Sequence, residues 1–386
     1  MRIKSRLYNT IVGILSQHQN WLDKRHMYTL AWMVVGVIQE ESINLTKWIA
    51  YVQSRAKYAQ STLRRFHRWL HNDRIKVNQL YGPLIKKALE GWDVGRVLYL
   101  ALDTSMLMGE YCLVRISVVF RGRAVPIVWR VLSHRSSRVS YQVYKQLIDE
   151  AYKLVPKGVK VVLLADRGFC DLDLLKHLKR LGWHYRIRIK SNFLLHYRGK
   201  CLSADEFHLD PGQAIFLRKV YLTGEKYGPL HVALGWSKDA KEKWYVVSDE
   251  PVGVDTFREY GLRSDIEENF LDDKSNGFKL EESRIDSAEG LERLCMVIGV
   301  ATLYLVSQGI EVVNRGRRRE VDPHWFRGLS YLKIGWRWVK RALSMGLRLC
   351  KVLRLEGWED PEPSMASRRD QRRRLKYSFE VVWVLV

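Results

Sequence analysis

Asp103, Asp166 and Glu267 carry the chemistry that this 386-residue sequence suggests first. Asp103 follows the apolar run RVLYLAL and Asp166 follows KVVLLA, so each is the first polar residue after a buried-strand pattern. In an open sheet, groups just beyond strand ends line the functional crevice. Glu267 lies in EYGLRSDIEENFLDDKS, which reads as a single helix. At about 100° per residue, Tyr260, Arg263, Glu267 and Lys274 fall within roughly a 60° arc of that helix. Leu262, Ile266 and Phe270 form the adjoining apolar stripe. Glu268 and Asp265 project about 100° and 200° away from Glu267, which makes Glu267 the third carboxylate of choice. Three carboxylates suffice to hold Mg²⁺, a hard cation that takes oxygen ligands and substrate phosphate. Two such ions can activate water and stabilise a leaving oxygen at phosphorus. Arginine and lysine supply charged donors to phosphate, and tyrosine a neutral one. The alternative is an ordinary solvated helix face, so the elements around these residues have to decide.

Those elements are legible as patterns. RVLYLALDTS, YCLVRISVVF and RAVPIVWRVL predict a three-strand meander with a short RG turn. SRVSYQVYKQLIDEAYKLV predicts a helix, KVVLLADRGF a strand, DLDLLKHLKRLGW a helix stopped by glycine, and HYRIRIK a fifth strand. That is the element order of a ribonuclease-H-like core. AIFLRKVYLTG, GPLHVALGW and KWYVVSDEP read as strands of an insertion, and SAEGLERLCMVIGVATLYLVSQ as a long buried helix. The expected fold is α/β: a helical basic region over 1–92, a ribonuclease-H-like catalytic core over 93–310 with a β-rich insertion at 195–250, a basic helical region over 311–356, and a mobile tail over 357–386. The terminal FEVVWVLV is too short to span a membrane and reads as a strand or irregular chain.

Charge points to a polyanionic partner. The net charge is +23, concentrated as +10 in residues 1–90 and +10 in residues 315–354, with a nearly balanced centre. Within the first region, QSTLRRFHRWLHN turns Leu63, Phe66 and Leu70 inward and Arg64, Arg65 and Arg68 outward, as in a helix-turn-helix with a basic second helix. His67 and His71 have metal-ligand spacing but read better as a surface pair. The five cysteines are too widely spaced for structural zinc or a disulfide framework, which suggests a reduced, cytoplasmic setting. No signal peptide or membrane-spanning run is apparent, so no membrane partner is expected.

Taken together, these motifs resemble the DDE transposases of bacterial insertion sequences, in the branch marked by Y-x2-R-x3-E-x6-K. YGLRSDIEENFLDDK matches that spacing at Tyr260, Arg263, Glu267 and Lys274, with LALDTS and LLADRGF as the two aspartate motifs. EKWYVVSDEPV resembles the family segment whose tryptophan receives a flipped-out base; Trp244 is the match and Trp236 the second candidate. The resemblance implies two Mg²⁺ ions (Mn²⁺ as a substitute) on Asp103, Asp166 and Glu267. Tyr260, Arg263, Lys274 and Trp244 would then contact DNA at the scissile end. It also implies terminal inverted repeats and target DNA as substrates, a hairpin intermediate, a synaptic homodimer, and action at the bacterial nucleoid. Arg167 suits either DNA or an acidic neighbour. A ribonuclease-H-like nuclease or resolvase, or a catalytically silent DNA-binding relative, would share many of these features.

Overall fold

The computed structural model describes residues 5–17, 21–53, 56–238, 240–364 and 379–385. Five helices come first: α1 (Arg6–Ser16), α2 (Lys24–Glu40), α3 (Leu45–Trp48), α4 (Ala59–Leu70) and α5 (Val77–Leu89). They pack around α2, whose residues from Leu30 to Ile38 are all buried, because that stretch is apolar on every face. On α4, Phe66, Trp69 and Leu70 are buried, whereas Leu63 is only half-buried.

The meander follows as β1 (Leu98–Leu107), β2 (Tyr111–Phe120) and β3 (Arg123–Leu132). The RG turn between the last two places Arg121 at φ 50° and Gly122 at φ 82°. Positive φ at both central residues is what a tight hairpin needs to match strand twist. Next come α6 (Tyr141–Tyr152), β4 (Val161–Ala165), α7 (Leu172–Leu181) and β5 (His184–Arg188). Gly182, in the left-handed region, ends α7 as its C-cap. The strand order β3-β2-β1-β4-β5, antiparallel in the meander and parallel from β1 through β5, is that of a ribonuclease-H-like core.

The insertion comprises β6 (Leu194–Tyr197), β7 (Lys200–Ser203), β8 (Gln213–Leu222), β9 (Tyr227–Trp236) and β10 (Trp244–Ser248). It is not a separate layer. β10 pairs antiparallel with β5, so the same sheet runs on through β9, β8, β6 and β7. The short β6–β7 hairpin is an addition to the three strands expected there.

After α8 (Val254–Gly261) and α9 (Ser264–Leu271), the long α10 (Ala288–Asn314) crosses the core, followed by α11 (Tyr331–Ser344). By length and composition α10 could cross a membrane, but 94% of its most apolar window is buried inside the protein, as a central core helix requires. Gly309 and Gly335 let α10 and α11 meet backbone to backbone: a Cβ at Gly335 would lie 1.8 Å from the Leu305 carbonyl oxygen.

The expected mobile tail differs in its described parts. Asp360 accepts from Arg327 (2.7 Å) and from the Tyr331 hydroxyl (2.7 Å), and Glu362 pairs with Arg318. These buried or half-buried partners tie down residues 358–364. β11 (Val381–Leu385) lies parallel to β8, so the terminal apolar run is a strand. The basic stretch at 365–378 lies outside the described residues.

Candidate active site

Register brings the two aspartates together. In the parallel pair β1/β4, Leu102 lies opposite Ala165, and Asp103 and Asp166 are the next residues along. Asp103 differs from the expectation of a strand end, because β1 continues to Leu107. It sits where β1 has lost its β4 partner but still pairs with β2, opposite Arg115. Asp103 therefore lies within its strand, just past the last β4 pair, and not beyond the strand's end.

The helix expected across residues 259–275 is broken into three pieces. Hydrogen bonds from Leu262 to Glu259, Arg263 to Tyr260, Asp265 to Leu262 and Ile266 to Arg263 span only three residues, and this tightened turn separates α8 from α9. Beyond α9, residues Asp272–Asn276 widen into a π-helical turn. The uniform 100° projection thus fails in detail. Even so, Tyr260, Arg263 and Glu267 remain on the side that faces the aspartates.

Arg263 is the hub. It donates from Nη1 to Asp103 Oδ2 (2.8 Å) and from Nη2 to Glu267 Oε1 (2.5 Å), joining two of the three carboxylates through one guanidinium. The buried Tyr260 hydroxyl donates to Asp166 Oδ1 at 3.4 Å. Burial pushes the Asp103 carboxyl up to about 6, against the pull of Arg263 and the Thr104 N–H, and the charges of Glu267 and Asp166 push the same way. Burial likewise raises the Tyr260 hydroxyl to about 12, opposed by Arg263 and helped by Asp166. Burial works against the Arg263 charge, but Tyr260, Asp103, Glu267 and Asp166 outweigh it and hold its pKa above the ordinary arginine range. Acidic charge is thus concentrated at one point and answered by one internal cation.

The model of the transposase DDE domain family matches residues 110–305, half of the chain. The chain belongs to that family. A solved piggyBac transposase synaptic complex with hairpin DNA is similar to it at 11% identity and a TM-score of 0.44, covering 94% of this chain and 85% of that one. Among proteins of curated function, no sequence match is found.

DDE transposases generally use divalent metal ions, and the donor set here has the right chemistry. All three acids offer hard oxygen ligands, and the raised Asp103 carboxyl is one that a nearby cation would favour in its charged form. The ligand set is not closed, however: among the described residues no three His, Cys, Asp or Glu side chains are grouped for coordination. Arg263 already pairs with two of the three acids.

The other DNA-contact candidates of the DDE domain fall in different places. Lys274, carried by the π turn, donates to the Met106 carbonyl on β1 and lies 3.9 Å from Glu281. It therefore braces the strand that bears Asp103. Trp244, half-buried at the start of β10, meets Tyr260 edge-on at a ring-centroid distance of 5.2 Å. Trp236 donates to the Ala240 carbonyl (3.2 Å) and carries Lys243 over its ring. Arg167 is exposed, 4.0 Å from Glu242. Glu268 turns away to Arg123 (3.6 Å) and Asp265 is buried. In the N-terminal region, Arg64 and Arg68 are exposed as expected, but Arg65 is half-buried, and its Nε and Nη2 find no hydrogen-bond partner among the described residues. Burial lowers its pKa, against the influence of Tyr8. His71 bonds the His67 carbonyl through its ring (2.8 Å), as a surface pair would.

Sequence reasoning missed two arginines on β5 and one on β2. Arg188 pairs with Glu242 (2.8 Å) and lies close enough to Asp166 to feel its charge. Arg186 holds Glu259 (2.6 Å), which also accepts from the Tyr99 hydroxyl (2.9 Å), and so fastens α8 to the sheet. Arg115, fully buried, donates to Asn269 (2.8 Å) and Asp273 (2.5 Å) and fastens α9 and the π turn. The signal was present in HYRIRIK, where arginines at period two must share one face of a strand.

Proposed function

We propose that the chain is a Mg²⁺-dependent transposase that cuts and rejoins DNA at the ends of its own insertion sequence, through a hairpin intermediate, in the cytoplasm of a bacterium. The observation that carries this reading is the Asp103–Arg263–Glu267 bridge with Asp166 and Tyr260 beside it, in a DDE domain. Two divalent ions held by Asp103, Asp166 and Glu267 would supply a water nucleophile at neutral pH and charge neutralisation at phosphorus.

The remaining roles belong to side chains. Arg263 exchanges Asp103 and Glu267 for a phosphate oxygen beside the scissile bond, a bidentate partner of the same geometry. Tyr260, whose raised pKa keeps it protonated, donates a neutral hydrogen bond and positions Asp166. Lys274 steadies β1 and adds positive charge at the crevice. Trp244 offers an aromatic face to a base drawn out of the duplex, which a hairpin turn in the strand demands. Cleavage in trans within a DNA-bound homodimer is part of the reading, as are terminal inverted repeats as the recognised ends.

A labelled duplex bearing the element's terminal repeat, incubated with the protein and Mg²⁺, tests it. Nicking, then a hairpin, then products joined to a target plasmid are expected. Nicked products with no joined species over a full time course would replace the reading with a ribonuclease-H-like nuclease.

A further inference from the structure

Residues 347–356 form an extended strap laid along the C-terminal half of α10. Two fully buried polar side chains hold its register. Gln308 donates to the Cys350 carbonyl (2.8 Å) and accepts from the Cys350 N–H (3.0 Å). Ser307 accepts from the Arg354 N–H (3.0 Å) while its own proton goes to the Leu303 carbonyl one turn back (2.8 Å). Leu353 and Leu355 are buried, and the Leu355 N–H donates to the Ala88 carbonyl (2.7 Å). With backbone and leucines committed inward, the basic side chains of the strap are left outside.

They line a groove of about 540 Å³ between the strap, the end of α10 and α11. Arg315, Arg317, Arg348, Lys351 and Arg354 are its cations, and Glu311 its only acid among the described residues. Glu311 is used up, with one oxygen on Arg315 and the other on Arg354. Arg317 lies over the Trp338 ring at 4.4 Å and pairs with Glu320. Arg348 and Lys351 are exposed and have no ion pair among the described residues. A concave wall that carries an excess of one sign of charge focuses the field and raises the local concentration of polyanions.

We propose that this groove binds the phosphate backbone of duplex DNA without regard to sequence, as a contact separate from the cleavage centre. The side chains offered are lysine and arginine on a rigid strap, with no amide or acid free to read a base edge, so the contact positions DNA and does not select it. It shares with the proposed function only the premise that the chain works on DNA.

The test is Arg348→Gln/Lys351→Gln in the full chain. Both residues are exposed and outside any ion pair among the described residues, so the thermal unfolding midpoint should be unchanged. Binding to several duplexes of unrelated sequence is measured by fluorescence anisotropy across a salt series. The slope of log K against log salt should fall by about 1.8, close to 0.9 for each phosphate no longer neutralised, and equally for every duplex. Nicking of a saturating end duplex should be unchanged, so a failed cleavage site and a failed groove give different results. An unchanged slope overturns the proposal. So does loss of binding to anionic phosphatidylserine vesicles with DNA binding intact, which would make the groove a membrane contact.

Discussion

Asp166 touches Tyr260 and, among the described residues, has no cation within hydrogen-bond reach, so a neutral isostere there disturbs little besides charge. Asp166→Asn should abolish end cleavage while leaving end binding within a few-fold of wild type, measured by nicking assay and gel shift on one preparation; cleavage near the normal rate would make Asp166 structural. Asp103 predicts a pH effect in metal-free protein. Its folded pKa, about 6, lies above the unfolded value of 3.8. The folded state therefore binds more protons between the two, and the Asp103 contribution is fully present below pH 4 and lost as pH rises through 6. About two units correspond to ~3 kcal/mol, and denaturant titrations at pH 4 to 7 should show that fall diminished in Asp103→Asn. Trp244 packs on Tyr260 yet keeps part of its surface open. Trp244→Ala should cost roughly 1–3 kcal/mol at hairpin formation through weakened stacking and much less at the first nick. Equal loss at both steps with a large drop in unfolding temperature would reassign it to the core.

At the scale of elements, α9 and the π turn that follows it are fastened to β2 by a buried ion pair. Arg115 and Asp273 are each 1% exposed and 2.5 Å apart, and the same Nη1 also donates to Asn269 (2.8 Å). Burial pushes the Asp273 carboxyl up, while Arg115 pulls it down. Removing one partner strands the other charge in the interior, a loss of about 3–5 kcal/mol. Arg115→Met should therefore destabilise the chain by that amount in urea unfolding, and Arg115→Met/Asp273→Leu by distinctly less; equal losses would show that the pair is not the anchor. The π turn that contains Asp273 also delivers Lys274 to Met106, and such widenings commonly mark functional positions. One buried arginine thus fastens both the helix that carries Glu267 and the turn that carries Lys274.

Across the whole molecule, the +23 charge is divided between an N-terminal helical bundle and the C-terminal strap and helix, with the acid-rich crevice between them in the chain. On α4 only Arg64 and Arg68 are free to meet phosphate, since Arg65 is turned toward α1. Arg64→Gln/Arg68→Gln should lower the salt slope of DNA binding by about 1.8 and leave the unfolding temperature unchanged. Arg65→Gln should leave the slope nearly unchanged. A slope unchanged in Arg64→Gln/Arg68→Gln would show that the exposed face of α4 does not meet DNA.

Local pattern was enough for much of this protein. The three strands of the meander, the strand before Asp166, the glycine-stopped helix and the buried α10 all follow from apolar periodicity and turn residues, which are written within short stretches of chain. The candidates were legible locally too: Asp103 and Asp166 as the first polar residues after apolar runs, and Tyr260, Arg263 and Glu267 as polar residues spaced on one side of a helical stretch. Pairing between distant segments was not visible. That β10 joins β5, that the last apolar run lies on β8, and that Arg115, Arg186 and Arg188 hold the crevice depend on contacts between residues far apart in the chain. Nor could a fixed 100° step foresee a tightened turn at residues 262–263 and a widened one at 272–276, because tertiary contacts at Asp166, Arg115 and Met106 accompany those departures. Whether three carboxylates stand open or share a guanidinium is decided by where Arg263 comes to rest, and only the packed structure, with its burial and opposing charges, sets that balance.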